Sequence, residues 1–178
     1  MRLFVALPVP AETRRAFRAW MQKCGPQPAL RWTHEDQLHI TLLFLGEVED
    51  ARVGLLSATL DSAHPRPFHL HPLEIEFDRV EVLGRAGVLA AAAKRTPPLA
   101  ALEIEVRSRL TAFSEKQESR EFHPHVTLAR ARRGESVPSP KLLPPLPKLV
   151  FPATCFRLYR SELRPEGAVH AVLREWNL

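Results

Sequence analysis

Between Phe68 and Val82 the chain alternates: Leu73, Ile75 and Phe77 are apolar, and Glu74, Glu76 and Asp78 are charged. A period of two predicts a strand with one wet face, broken or bulged near Pro72. Other stretches carry other periods. Arg2 to Leu7 is an apolar run stopped by Pro8 and Pro10, which predicts a buried first strand. In "AETRRAFRAWMQKCG", Phe17, Trp20 and Met21 recur at three and four, which predicts a helix ended by Gly25. "ALRWT" is a short strand candidate. "QLHITLLFLG" is rich in β-branched and aromatic residues and predicts a strand ending at Gly46. "EDARVGLLSATLDSAH", with Val53, Leu56, Ala58 and Leu60 apolar and Asp50 near its start, predicts a second helix.

The second half repeats this outline. "GVLAAAAK" is a strand candidate, although its alanines also suit a helix. "PPLAALEIEVRSRLTAFS" predicts a helix opened by proline, and "EFHPHVTLARAR" predicts a strand. "GESVPSPKLLPPLPKLVFP" holds too many prolines to be a regular element over most of its length. "CFRLYRSEL", the turn "RPEG" and "AVHAVLREWNL" predict a terminal hairpin. The expected fold class is α+β, a single domain over residues 1–178 made of two similar lobes.

One tetrapeptide pattern occurs in both halves: His39-Ile40-Thr41-Leu42 and His125-Val126-Thr127-Leu128. In a strand, side chains at i and i+2 share a face, about 6.6 Å apart. Each strand therefore presents an imidazole beside a hydroxyl, with Leu38, Ile40 and Leu42, or Val126 and Leu128, anchoring the back. Histidine titrates near neutrality, so one of two facing imidazoles can take a proton while the other gives one. A threonine hydroxyl can donate to an anionic oxygen. The pairing suits in-line attack at a phosphate. His123 also stands two residues before His125, but it lacks the following His-x-Thr spacing and is expected at the strand edge, next to Pro124.

Composition adds a partner. The chain has 178 residues, 45% hydrophobic and 25% charged, with a net charge of +5. That is ordinary for a globular domain, and long enough to bury a core without disulfide or metal staples. The basic side is 20 Arg against 5 Lys. The guanidinium fork grips phosphate with two parallel hydrogen bonds, which points to a phosphorylated or nucleic-acid partner. Cys24 and Cys155 match no zinc or redox spacing. No apolar run reaches the roughly 20 residues of a membrane helix, and "MRLFVALPVPAETRR" fits a buried strand better than a signal peptide. A cytoplasmic location is expected.

The sequence resembles the 2H phosphoesterases, specifically the bacterial and archaeal RNA 2′,3′-cyclic phosphodiesterases, also called 2′-5′ RNA ligases. "MRLFVALPVP", "LRWTHEDQLHITLLFLGEV", "EFHPHVTLAR" and "FRLYRSELRPEGAVHAVLREWNL" fall in that family's order over nearly the whole chain. The resemblance implies two pseudo-symmetric βαβ-like lobes with antiparallel sheets around a central cleft, one His-x-Thr on each wall. His39, Thr41, His125 and Thr127 match the four motif positions. The implied reaction is opening of an RNA terminal 2′,3′-cyclic phosphate to a 2′-phosphate, without metal or cofactor. His39 is taken as the acid for the leaving 3′-oxygen and His125 as the base for water, although the sequence leaves the reverse assignment open. Thr41 and Thr127 would hold the non-bridging oxygens. Arg130 resembles a family arginine near the phosphate; five residues after His125, it needs a bend or bulge to reach. Phe44 and Tyr159 are expected to line the cleft. The implied partners are RNA ends with a cyclic phosphate, tRNA fragments among them, and small cyclic nucleotides, met by a monomer. Ligation, with a ribose 5′-hydroxyl in place of water, is secondary. Where similar proteins often carry a tryptophan near "GVLAAAAK", this chain has small residues, which puts base stacking there in doubt.

Two rival readings use other residues. His34 and His39 in "HEDQLH" lie five apart, not the four a zinc-binding helix needs. His69 and His71 can share a strand face and hold a metal, but lack an obvious third ligand. A non-catalytic RNA-binding module would use the basic cluster Arg130, Arg132 and Arg133. His34, His64, His69, His71 and His170 are read as structural or surface residues, and Trp32 and Trp176 as core.

Overall fold

A computed structural model describes residues 1–61, 73–84, 87–114, 121–164 and 167–178. The strands are β1 (Arg2–Pro8), β2 (Leu30–Trp32), β3 (His39–Glu47), β4 (Leu73–Leu83), β5 (Val88–Ala93), β6 (His125–Ala131), β7 (Leu149–Ala153), β8 (Cys155–Arg164) and β9 (Gly167–Asn177). The α-helices are α1 (Ala11–Lys23), α2 (Val53–Asp61) and α3 (Pro97–Leu110). All strand pairs are antiparallel, in the order β7-β4-β5-β6-β3-β1-β8-β9, and β2 also pairs with β6. The order reads outward from its centre as two matching series, β6-β5-β4 and β3-β1-β8. The two lobes thus share one sheet, joined where Ile40 pairs with Val126.

The helices cross between lobes. α1 follows β1 but buries Phe17 against Phe77 of β4, ring centroids 5.2 Å apart, and Trp20 edge-on to Trp32 of β2. α3 follows β5 but packs against β3 and α2. Its buried Leu99, Leu102, Val106 and Leu110 follow the helical period, and prolines occupy its first turn. Gly25, at φ 66°, takes the left-handed conformation that ends α1. A Cβ on Gly87 would lie 2.9 Å from the Cβ of Ala131. Only glycine lets β5 start this close to β6.

Apart from a 3₁₀ turn at Pro140–Leu142, the proline-rich stretch is irregular until its last residues, which form the edge strand β7, an element its composition does not predict. Pro152 is tolerated there because an edge strand leaves one row of backbone donors unused. "GVLAAAAK" resolves as strand β5, flanked by β4 and β6. Trp32 packs against the core and Trp176 is buried in it, stacked on Phe156 at 5.2 Å. The expected break near Pro72, the "RPEG" turn centre, and His64, His69 and His71 lie outside the described residues.

Candidate active site

The two His-x-Thr motifs begin the two central strands, β3 and β6. Ile40 and Val126, the paired residues between them, are fully buried. Continuing that antiparallel register by one residue sets His39 opposite Thr127, and Thr41 opposite His125, on the other face. The four polar side chains form a quartet around the local pseudo-two-fold axis, supported from behind by the core.

Past the quartet both strands bulge at the same place. Along β1, Ala6 pairs with Thr41 and Val5 with Leu43, so Leu42 is the extra residue. Along β5, Ala90 pairs with Thr127 and Leu89 with Ala129, so Leu128 is the extra residue. Leu42-Leu43 and Leu128-Ala129 are accordingly each two buried residues in a row. The bulge inverts the alternation. It returns the fifth residue after each histidine to the histidine's face: Phe44 in one strand and Arg130 in the other. Arg130 therefore reaches the site through the irregularity that the sequence demanded.

Both imidazoles are held in the same way. His39 Nδ1 lies 2.8 Å from the carbonyl oxygen of Gln37, and His125 Nδ1 lies 2.7 Å from that of His123. A carbonyl only accepts, so Nδ1 carries the hydrogen and donates in both cases. This orients each neutral ring and leaves Nε2, with its lone pair, for chemistry.

Their surroundings differ. His39 sits among rings: Phe4 at 4.8 Å, His170 at 5.2 Å edge-on, and Tyr159 at 6.1 Å. Tyr159 stacks on Phe4 at 5.0 Å, and Phe44, 58% exposed, lies 5.8 Å from Phe4. Burial in this nest, reinforced by the neighbouring His170, His125 and Arg130, holds the His39 pKa down at about 4, against an ordinary 6.5. Burial also lowers the His125 pKa, but Glu81 on β4 pulls it the other way. Glu81 pairs with the His123 ring, whose own carbonyl receives the His125 hydrogen. On this side the flanking β5 positions opposite Thr127 and His125 are Ala90 and Ala92. One wall is aromatic, the other small and polar.

His170, expected as a structural or surface residue, lies beside His39. It comes from the terminal hairpin, where β8 lies beside β1 and β9 beside β8. Its ring packs at 4.8 Å on Phe4 and edge-on to His39, and its backbone N–H donates to the Gln37 side chain at 3.0 Å. Gln37 thus holds His39 through its carbonyl and β9 through its amide. The cluster was hidden because its members are dispersed along the chain. His34 is an exposed residue of the loop before β3. Cys24 and Cys155 are free thiols. Among the described residues no three His, Cys, Asp or Glu side chains gather as a metal cluster, and no helix is long and apolar enough to cross a membrane.

Residues 8–163 match the model of the 2′-5′ RNA ligase superfamily. The chain is 32% identical to the RNA 2′,3′-cyclic phosphodiesterase of Thermus thermophilus, over 100% of this chain and 90% of that one. It is 31% identical to the relative of the same name from Escherichia coli, over 99% and 96%. Its fold is similar to the crystal structure of E. coli LigT complexed with 3′-AMP, with a TM-score of 0.81 at 30% identity, covering 99% of this chain and 97% of that one. For E. coli LigT complexed with phosphate the TM-score is 0.75, again at 30% identity, covering 99% and 96%.

Proposed function

The chain belongs to the 2′-5′ RNA ligase superfamily, and from that premise we propose that it hydrolyses the 2′,3′-cyclic phosphate at an RNA end, leaving a 2′-phosphate. The observation that carries this reading is the matched pair of imidazoles, each tied through Nδ1 to a backbone carbonyl. One Nε2 lone pair and one Nε2–H on opposite sides of one phosphate suit in-line displacement. Water attacks phosphorus and loses its proton to His125 Nε2. The bond to O3′ breaks, and O3′ takes a proton from His39 Nε2.

The surroundings support this division of labour. The less basic imidazole is the better donor to a leaving oxygen, and the more basic one the better acceptor. Burial among rings depresses His39, while Glu81 opposes the depression of His125. The negative phosphodiester raises the proton affinity of both imidazoles and lets His39 carry its proton. Thr41 and Thr127 donate to the non-bridging oxygens, and Arg130 offsets the charge that builds in the transition state. Phe44, with Phe4 and Tyr159 behind it, offers the terminal base a ring to stack on. Ligation is the same chemistry with a ribose 5′-hydroxyl and remains secondary. We place the reaction in the cytoplasm, in a monomer acting on RNA ends such as tRNA fragments.

The test is incubation in EDTA with an RNA ending in a 2′,3′-cyclic phosphate, followed by assignment of the product. A 2′-phosphate is expected. A 3′-phosphate would reverse the leaving group, and no turnover without added metal would favour the metal-binding rival.

A further inference from the structure

On the face that carries the quartet, two arginines from different strands stand directly opposite one another. Arg31 of β2 pairs with Arg130 of β6, both exposed. Like charges in such a pair repel. Nearby arginines have acidic partners: Arg14 meets Asp36 at 2.8 Å and Arg18 meets Glu35 at 3.0 Å. Among the described residues, no ion pair with a carboxylate involves Arg31 or Arg130. Although Arg130 keeps one side open to solvent, partial desolvation of its guanidinium and the charge of Arg31 push its pKa down.

Their position extends the site. β2 lies along β6 beyond the single bridge to β3, so the face reads in rows: Arg31 and Arg130, then His39 and Thr127, then Thr41 and His125. Arg130 acts electrostatically on both imidazoles, and Arg31 acts on Arg130. Across the pseudo-two-fold axis the place of Arg130 is taken by Phe44. One end of the site is aromatic and the other cationic.

A ribose with a 2′,3′-cyclic phosphate has its base on C1′, beside C2′, and its 5′ chain on C4′, beside C3′. Base and chain therefore leave on opposite sides of the reacting phosphate. With the base at the aromatic end, the chain runs toward the arginines. We propose that Arg31 is a subsite for the phosphodiester on the 5′ side of the terminal nucleotide, with Arg130 standing between it and the reacting phosphate. This rests on the function proposed above, and it makes the protein select an RNA chain over a single cyclic nucleotide.

The experiment compares wild type, Arg31→Ala and Arg31→Lys in two assays. One is fluorescence anisotropy with a 5′-labelled oligoribonucleotide ending in a 2′-phosphate, across a salt series. The other is hydrolysis of a mononucleoside 2′,3′-cyclic phosphate. Arg31→Ala should weaken oligonucleotide binding about tenfold at low salt and make the salt slope shallower by about 0.7, the value for one phosphate contact on a single strand. Its mononucleotide hydrolysis should match wild type. Arg31→Lys should keep the salt slope. The melting temperature of Arg31→Ala should not fall, because a repulsive neighbour has been removed; a fall would assign Arg31 to the fold. Equal losses in both assays would assign Arg31 to the reacting phosphate, and no change in binding would remove the subsite. Either result overturns the proposal. If wild type leaves intact both the mononucleotide and an oligoribonucleotide ending in a 2′,3′-cyclic phosphate, the proposed function fails while the binding arm still decides the role of Arg31.

Discussion

The two motif strands share a pattern and differ in surroundings. β3 and β6 each begin with an imidazole tied to a carbonyl two residues back, continue to a threonine on the same face, and bulge at the following leucine. Around them the symmetry ends. His39 is walled by Phe4, Tyr159 and His170, His125 by alanines and the Glu81–His123 pair. The fifth residue is Phe44 in one strand and Arg130 in the other. The repeated part sets two imidazoles, tied in the same way, on one face of the sheet. The unrepeated part gives them different surroundings and, under the proposed function, would give the substrate a direction.

The largest expected effect comes from breaking what the strands share. His39→Ala or His125→Ala should each lower kcat by about a thousandfold, the middle of the range for a lost acid or base, with an unchanged circular dichroism spectrum. Full activity in both variants would remove the pair from the chemistry. Next come the residues that break the symmetry. Arg130→Ala should lower kcat/KM by about a hundredfold, the loss of a charge-assisted contact. Phe44→Ala should raise KM about tenfold, as loss of one stacking contact does, with a smaller change in kcat. Equal effects of both on kcat alone would deny them different roles.

Smaller effects sharpen the electrostatic contrast. Glu81→Gln should move the NMR titration midpoint of His125 to lower pH, because the carboxylate favours the protonated ring. His39 should not move, and a shift of both would mean that Glu81 does not act on one wall. The smallest effect is on stability. The His39 pKa lies lower in the folded protein than in the unfolded chain, so the unfolded chain takes up the extra proton as pH drops from 6.5 toward about 4. This contribution is complete above pH 6.5 and lost as pH falls through about 4. In urea titrations, wild type should therefore lose more stability between pH 7 and pH 4 than His39→Gln does. Parallel losses would contradict the buried neutral imidazole.

Strand parity in "LHITL" and "HPHVTL" was enough to read the quartet, because a period of two is a local property of the backbone. The bulges were half visible. Leu42-Leu43 and Leu128-Ala129 put two apolar residues together where alternation demands one, and Arg130 on the wrong parity pointed to the same irregularity. β7 was obscured by Pro152 and the prolines before it, since edge position depends on the whole sheet. His170 was not legible: it nears His39 only because β9 follows β8, which pairs with β1. The exchange of α1 and α3 between lobes was equally hidden, because amphipathic spacing states that a helix packs without stating against what.

Both histidines rest as Nδ1–H tautomers, each donating to a backbone carbonyl and leaving Nε2 free. Long-range ¹⁵N–¹H NMR on ¹⁵N-histidine-labelled protein at pH 7, assigned with His39→Gln and His125→Gln, reads this directly. A protonated Nδ1 and an unprotonated Nε2 are expected at both residues. An Nε2–H tautomer at either one would contradict this.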